Sequence, residues 1–305
     1  MHQRNVLARF SLREALLIPV LLPIILSAGC GGVSGGNAAA GGSPPPASAH
    51  VFVVVEENHS YSQVIGSSSM PYLNSLAAKY ALATQYYADV HPSIGNYFML
   101  TTGQVETLDD SFGGTVKDDN IARELVKANK TWRSYAESLP NPGYLGGDVY
   151  PYFRHHNPFT YFSDVQGTSQ AGNIVPFSQF ASDLSSGTLP DFSFIVPNAL
   201  DDAHDGTLAA ADQWLNTNIA PLIASSAFQN SGLLIIVFDE SVLTDLSHGG
   251  GHVTLVMVGP NVKSGFQGSI TFQHQSTLRR VLSTLGVNSF PGASAVAPDM
   301  REFFK

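Results

Sequence analysis

The sequence predicts an α/β fold, a β-sheet covered by helices on both faces, and three observations predict it. The runs Val51–Val55 in HVFVVVEEN and Leu233–Phe238 in GLLIIVFDE are continuously apolar over a strand's length, as expected of strands covered on both sides. Segments with helical apolar spacing lie between strand-like runs, which is the α/β order. At 305 residues the chain is long enough to bury a large core, and no internal repeat breaks it into an array.

The chain begins with a different kind of segment. Arg4, Arg9 and Arg13 precede an apolar run from Ala15 to Leu26, and Ser27-Ala28-Gly29-Cys30 closes it with small residues and the only cysteine. A run of twelve is too short for a stable membrane span, so residues 1–30 are expected to be an export signal. Residues 31–48, GGVSGGNAAAGGSPPPAS, hold nothing that could repay the entropy of ordering; a flexible Gly/Ser/Pro tether is expected there. Residues 49–305 are then expected to form a single domain. Cleavage before Cys30 removes three of 15 basic and one of 24 acidic residues, moving the formal charge from −9 to −11. A net negative body without a basic stripe argues against nucleic acid as partner. One cysteine allows no internal disulfide.

Along the domain, the first strand at Val51–Val55 is followed by a helix between Met70 and Leu82, with Leu73, Leu76, Ala77 and Tyr80 at helical spacing. A second helix is expected over 94–102, and a third over 119–137, where Ile121, Leu125, Ala128 and Trp132 share a face. Residues 138–178 are rich in aromatics, Pro and Gly without a period, an excursion over the sheet edge that either lines a cleft or forms a packed wall. Next come a strand at 191–196, a helix at 206–225, strands at 233–238 and 252–260, and a helix near 274–285. Periodicity does not give the order of the strands.

Both clear strands end in acidic pairs, Glu56-Glu57 followed by Asn58, and Asp239-Glu240. Oxygen ligands at the carboxyl edge of a sheet suit one hard divalent metal ion, and such an ion would relieve the repulsion of neighbouring acids. Ser93 follows Pro92 and opens a helix, where a hydroxyl activated by a metal could act as nucleophile; Asn96 could donate to a phosphoryl oxygen. His204 in DDAHDG and His252 after three glycines could bind phosphate or move protons, and His155 and His156 could bind the substrate from within the aromatic excursion. No Walker loop, dinucleotide fingerprint or zinc-protease pair occurs, and the G-x-S-x-G at Gly32–Gly36 lies in the Gly-rich tether, not at an elbow between strand and helix.

The ordered set VVVEENHSY, HPSIGNYFMLTTG, VPNALDDAHDG, IIVFDE, GGGHVTLVMVGPNV and HQSTLRRVL resembles a bacterial phosphoesterase family that includes acid phosphatase A, secreted phosphatidylinositol-3-phosphatase-like enzymes and nonspecific phospholipases C. The resemblance spans about residues 49–287. It implies a three-layer fold like alkaline phosphatase, with a central mixed β-sheet, and a metal set of Glu57, Asn58, Ser93, Asp239 and Glu240. Ser93 is then also the nucleophile. His155, His204 and His252 fall in regions that supply phosphate-binding or proton-transfer histidines, and His274 belongs to the late motif in a peripheral role. Where related enzymes carry a second Asp, this chain has Glu240, which keeps the charge but lengthens the reach. The leader similarly resembles a bacterial lipoprotein signal, which implies lipidation of Cys30, although Ser27 stands where Leu is usual; the other reading is an ordinary signal with an incidental cysteine.

The expected activity is metal-dependent hydrolysis of phosphate monoesters through a phosphoserine, as in an acid phosphatase, on a phosphorylated small molecule or lipid. A phospholipase C or another phosphodiesterase is the enzymatic alternative, and a catalytically silent surface-binding protein the non-enzymatic one. The expected place is extracytoplasmic, anchored through Cys30 and facing the periplasm or cell surface, or else secreted. A monomer is the default.

Overall fold

Strand β1 (His50–Glu56) is the middle of the sheet, and its apolar run from Val51 to Val55 is explained by partners on both edges and helices on both faces. The computed structural model describes residues 48–305. The export segment, Cys30 and all of the tether but Ser48 lie outside the described residues.

Ten strands are present among those residues. They are β1, β2 (Ala81–Ala83), β3 (Tyr86–Tyr87), β4 (Trp132–Ala136), β5 (Ile174–Pro176), β6 (Phe192–Val196), β7 (Gly232–Phe238), β8 (Leu255–Val258), β9 (Phe266–Gly268) and β10 (Phe272–Gln273). Eight form one sheet in the order β5-β4-β6-β1-β7-β8-β2-β9, and β10 pairs with β3. β8 runs antiparallel to both its neighbours while the other pairs are parallel, so the sheet is mixed.

Strand alternation sorts the helices into two layers. Val53 stands opposite Phe194, whose ring meets Tyr97 of α3 (Ser93–Thr102). Phe52 points the other way, onto Phe180 and Phe228. α3 is buried at all ten positions and packs against α4 (Ile121–Lys127) and α9 (His274–Thr284). On the Phe52 side lie α5 (Ser178–Ser186) and α8 (Ser226–Ser231), which carry Phe180 and Phe228. α6 (Leu208–Asn218) joins them through Trp214 against Phe177, and packs in turn on α2 (Pro71–Lys79).

The expected helix over 119–137 is corrected. Only Ile121–Lys127 is helical; Asn129 takes a left-handed φ of 56°, and Trp132–Ala136 becomes β4, paired with β6. The Ile121, Leu125, Trp132 spacing fits a helix, but a seat for Trp132 beside Phe192 in the sheet outweighs that local preference. The helix expected over 206–225 breaks after Asn218 and resumes as α7 (Ala220–Ala224), with Pro221 in its first turn. In the 138–178 excursion Tyr152, Phe159, Tyr161 and Phe162 are buried. Of the two readings of that segment, the packed wall holds for most of its rings. No helix among the described residues is long and apolar enough to cross a membrane.

Candidate active site

The register of β1 and β7 decides which acids meet. Glu56 is paired with Phe238, so the next step along both strands sets Glu57 beside Asp239 at the carboxyl edge. The ladder continues through Asp239 N–H donating to Glu56 O at 2.9 Å, and Asn58 N–H reaches Asp239 Oδ1 at 3.2 Å. Asn58 holds a left-handed φ of 55°, a conformation Asn tolerates better than most residues, and this turns the chain off the sheet. Glu57 lies on the same face as Val53 and Val55, the α3 face. There the Ser93 hydroxyl donates to Glu57 Oε2 at 3.1 Å and the Tyr97 hydroxyl to Oε1 at 2.5 Å. Side chains from positions 57, 93 and 239 thus meet at one sheet edge.

Ser93 is buried at the start of α3. The first turn is pressed onto the preceding loop so closely that a Cβ at Gly95 would lie 2.5 Å from Val90 Cγ2, so only glycine fits. Two N–H groups of this turn have partners: Ile94 N–H donates to Asp110 Oδ1 at 3.2 Å and Gly95 N–H to Pro92 O at 3.3 Å. Asn96 is also engaged. Its Oδ1 accepts from Asp89 and Val90 N–H, its Nδ2 donates to Val90 O, and the same Nδ2 stands 3.5 Å from Glu240 Oε2. Asn96 therefore orders the loop beside the site. Glu240 Oε2 also lies 3.2 Å from Nδ1 of His91, whose Nε2 donates to Asp245 O at 3.1 Å.

Three carboxylates, Glu57, Asp239 and Glu240, are buried within this edge. Burial raises Glu57 well above the usual range, and repulsion from Asp239 and Asp202 adds to it. Burial raises Asp239, opposed by donors from Ser93 and Asn58; burial and Asp239 together push Glu240 up to about 9. Such a group wants protons or a cation. Asn58 Oδ1 and Asp239 Oδ2 are buried without a hydrogen-bond partner, as atoms waiting for a ligand are. Together with Ser93 Oγ and Glu57 Oε2 they make an all-oxygen set, the chemistry of a hard divalent ion, so the residues fit the expected metal.

Behind Glu57 lies a layer that sequence reading did not assign to the metal. His156 is almost fully buried, stacks on Tyr97 at 5.1 Å, and sets Nε2 3.5 Å from Glu57 Oε1 and Nδ1 3.4 Å from Asp202 Oδ2. One ligand atom from each of Glu57, His156 and Asp202 falls within 4.8 Å of the others, a group that could hold a metal ion. Burial lowers the His156 pKa well below its ordinary value, so the ring is neutral and able to coordinate. This location moves His156 from the expected place at the substrate to the floor of the site. Asp202 also accepts from His204 N–H at 2.8 Å, and its carbonyl receives Glu57 N–H.

The cleft over these groups has a volume of about 440 Å³ and is lined by Asn58, Pro92, Ser93, Asp110, His204, Glu240, Ser241, Val242 and Leu243. A larger cleft of about 510 Å³ lies among Lys130, Trp132, Arg133 and Gln170, with none of these acids or the serine; size does not pick the site. His204 faces the smaller cleft, its Nδ1 2.8 Å from Asp205 Oδ1. His155 is not among the lining residues: it stacks on Phe153 at 5.0 Å, edge-on to His156, and burial lowers its pKa. Phe153 in turn meets His204. His252, expected at the phosphate, is held away from this cleft, its ring between Tyr61 and Tyr87 and its Nε2 3.1 Å from Thr84 O. His274 has a closer part than the periphery. It is fully buried, donates from Nε2 to the Asp239 carbonyl at 2.6 Å, and burial lowers its pKa to about 4.

Sequence reading missed three residues that meet the site: His91, Asp110 and Asp202. His91 stands two places before Ser93 and Asp202 lies within DDAHDG, so both had a signal in their neighbours. Asp110 reaches α3 from a loop and had none.

Comparison with known proteins gives the family and the fold. Residues 67–288 match the Phosphoesterase family. The chain is 36% identical over 277 residues to the phosphatidylinositol-3-phosphatase of Mycobacterium tuberculosis, covering 90% of this chain and 87% of that one. It is 31% identical over 248 residues to an acid phosphatase of Aspergillus fumigatus, covering 78% of this chain and 55% of the other; it spans about half the length of the acid phosphatases it matches. Among solved structures, a Vibrio parahaemolyticus protein in the alkaline phosphatase superfamily superposes with a TM-score of 0.61 at 16% identity, over 85% of this chain and 74% of that chain. The lipoteichoic acid synthase LtaP of Listeria monocytogenes gives 0.56 at 12%, over 78% and 72%. The fold is that of the alkaline phosphatase superfamily, a mixed sheet between helical layers.

Proposed function

This chain belongs to the Phosphoesterase family, and we propose that it hydrolyses phosphate monoesters by passing the phosphoryl group first to Ser93 and then to water. One observation carries the reading: the only serine hydroxyl bonded to a strand-end carboxylate, Ser93 Oγ on Glu57 Oε2 among the described residues, opens into the cleft that His204 faces. Ser93 Oγ, its proton lost to solvent, attacks phosphorus in line with the departing alcohol. The P–O bond to the alcohol breaks as the new bond forms, and the alcohol takes a proton from His204. Asp205 engages His204 Nδ1, so Nε2 is the nitrogen left for that transfer. Water then attacks the phosphoserine, gives its proton to His204, and releases phosphate and the Ser93 alkoxide.

Glu57, Asn58, Ser93, Asp239 and Glu240 would hold one divalent ion, which when bound neutralises these acids and favours the serine alkoxide. Asp202 and His156 hold Glu57 from behind, as outer partners orient a ligand. Candidate substrates are phosphorylated small molecules or lipids, the latter supported by the relative named for a phosphoinositide. We read the domain as extracytoplasmic and anchored through lipidated Cys30, whose test is the mass of the mature N-terminus.

The functional test is turnover of a simple aryl phosphate by wild type and Ser93→Ala across pH, with divalent ions supplied. A loss of roughly a thousandfold or more with folding retained is the expected result. Undiminished turnover by S93A rejects Ser93 as nucleophile.

A further inference from the structure

The cleft that holds Ser93 has one apolar wall, and it comes from the loop between β7 and β8. Val242 and Leu243 line the cleft directly after Glu240 and Ser241. Leu243 is 70% exposed, and Leu246, one turn of loop further, is 69% exposed. Large apolar side chains standing this far into water are ordinary when scattered; here one lines the cleft and the other follows three residues later on the same loop, a pairing with a purpose to look for.

The loop is not a loose excursion. Ser241 Oγ reaches the carbonyls of Val242, Asp245 and Gly250, Asp245 N–H donates to Val242 O, and Asp245 Oδ1 and Oδ2 accept from Ser247 and His252 N–H. His91, bonded to Asp245 O, ties the loop to the segment that carries Ser93. Gly251 is so close that a Cβ there would overlap Ser241 Oγ. The polar groups of the loop are thus satisfied inward, and the leucines are held outward on a firm base. On the His204 side, Tyr150 is 59% exposed and its ring meets Phe153, which meets His204. The polar residues lining the cleft are Asn58, Ser93, Asp110, His204, Glu240 and Ser241, with no Lys or Arg among them.

We infer that Leu243 and Leu246 form a lip that seats an apolar alcohol portion of the substrate, so that the preferred ester is a monoester of a long-chain or lipid alcohol. The inference deepens the phosphoesterase reading and rests on it. The phosphorus sits at Ser93, the ester oxygen points toward His204, and the chain leaving that oxygen has an apolar surface to follow outward. Water released from chain and leucines favours the long ester.

The test uses the full chain, wild type and L243N/L246N, on ethyl, butyl and octyl phosphate, each below its micellisation concentration. For wild type, kcat/KM is expected to rise about tenfold or more from ethyl to octyl phosphate, mainly through KM. In L243N/L246N the rise should shrink to about threefold or less. A wild-type rate indifferent to chain length, or a rise that survives both substitutions, overturns the lip. A rise that appears only once the ester forms micelles also overturns it, since the leucines would then be meeting a lipid surface and not a single chain. If wild type cleaves none of the esters, the phosphoesterase reading is what fails. Titration with octyl and ethyl phosphonate then reads the lip alone: tighter octyl binding lost in L243N/L246N upholds it, and equal binding of the two overturns it.

Discussion

Glu56 and Glu57 are neighbours in sequence, equally buried, and both raised well above the usual carboxylate range, yet they live in different chemistry. Glu57 receives hydroxyls from Ser93 and Tyr97 and stands beside Asp239. Glu56, turned to the opposite face by strand alternation, has no partner for either oxygen, and burial with repulsion from Asp202 and Asp212 raises its pKa and favours the protonated form. The contrast teaches that burial and a displaced pKa do not mark a working acid. What marks it is the set of groups that neighbouring elements aim at it: here the first turn of α3 and the end of β7.

The widest separation should come from paired substitutions. Glu57→Gln is expected to lower kcat/KM by roughly a thousandfold, while Glu56→Gln stays within about threefold, because one removes a charge at the reacting centre and the other replaces a neutral acid by a neutral amide. Steady-state kinetics on an aryl phosphate with circular dichroism for folding reads both, and equal losses would erase the distinction. Next in size, Asp202→Asn should cost about 10–100-fold in kcat by loosening His156 and with it Glu57. Divalent-ion affinity measured alongside should weaken; a normal affinity would leave Asp202 with no part in holding the site.

The third probe uses pH. Glu57, Asp239 and Glu240 are raised above their unfolded values, so without an ion their contribution to stability is complete below about pH 4 and lost as pH climbs, through about 9 for Glu240. An ion takes the place of the protons. The Tm difference between ion-supplied and chelated protein should therefore widen from about pH 5 to about pH 9. A gap that narrows over that range would mean that the three acids do not share a cation. The smallest effect is reserved for His252→Ala, held between Tyr61 and Tyr87: activity within about threefold, and a stability loss of about 1–2 kcal/mol from the lost stack and hydrogen bond, by urea denaturation. A large kcat loss with unchanged stability would return His252 to the chemistry.

The parts legible in the sequence were those written locally. Apolar runs of strand length gave β1, β7 and β8, and the acids that follow β1 and β7 gave the candidate ligands, since the carboxyl edge of such strands is where side chains converge. The strand order, and hence that Glu57 meets Asp239 across 182 residues, was carried by pairing no local period records. Trp132 was misread for the same reason: its spacing from Ile121 and Leu125 is helical, and only the distant Phe192 makes it a strand residue. His156 looked like a substrate ligand because a His pair in an irregular segment says nothing of which ring turns inward. Leu243 and Leu246 gave no period at all, and became informative only when the loop was seen to close the cleft beside Ser93.

The central claim is that Ser93 carries the phosphoryl group during turnover. Acid quench of wild-type protein mixed with a phosphate monoester, followed by peptide mass spectrometry, reads it directly. The account predicts phosphate on the peptide that contains Ser93, building up before the steady state and absent in S93A. Steady turnover with no phosphorylated protein at any quench time, or phosphate on another residue, would contradict it.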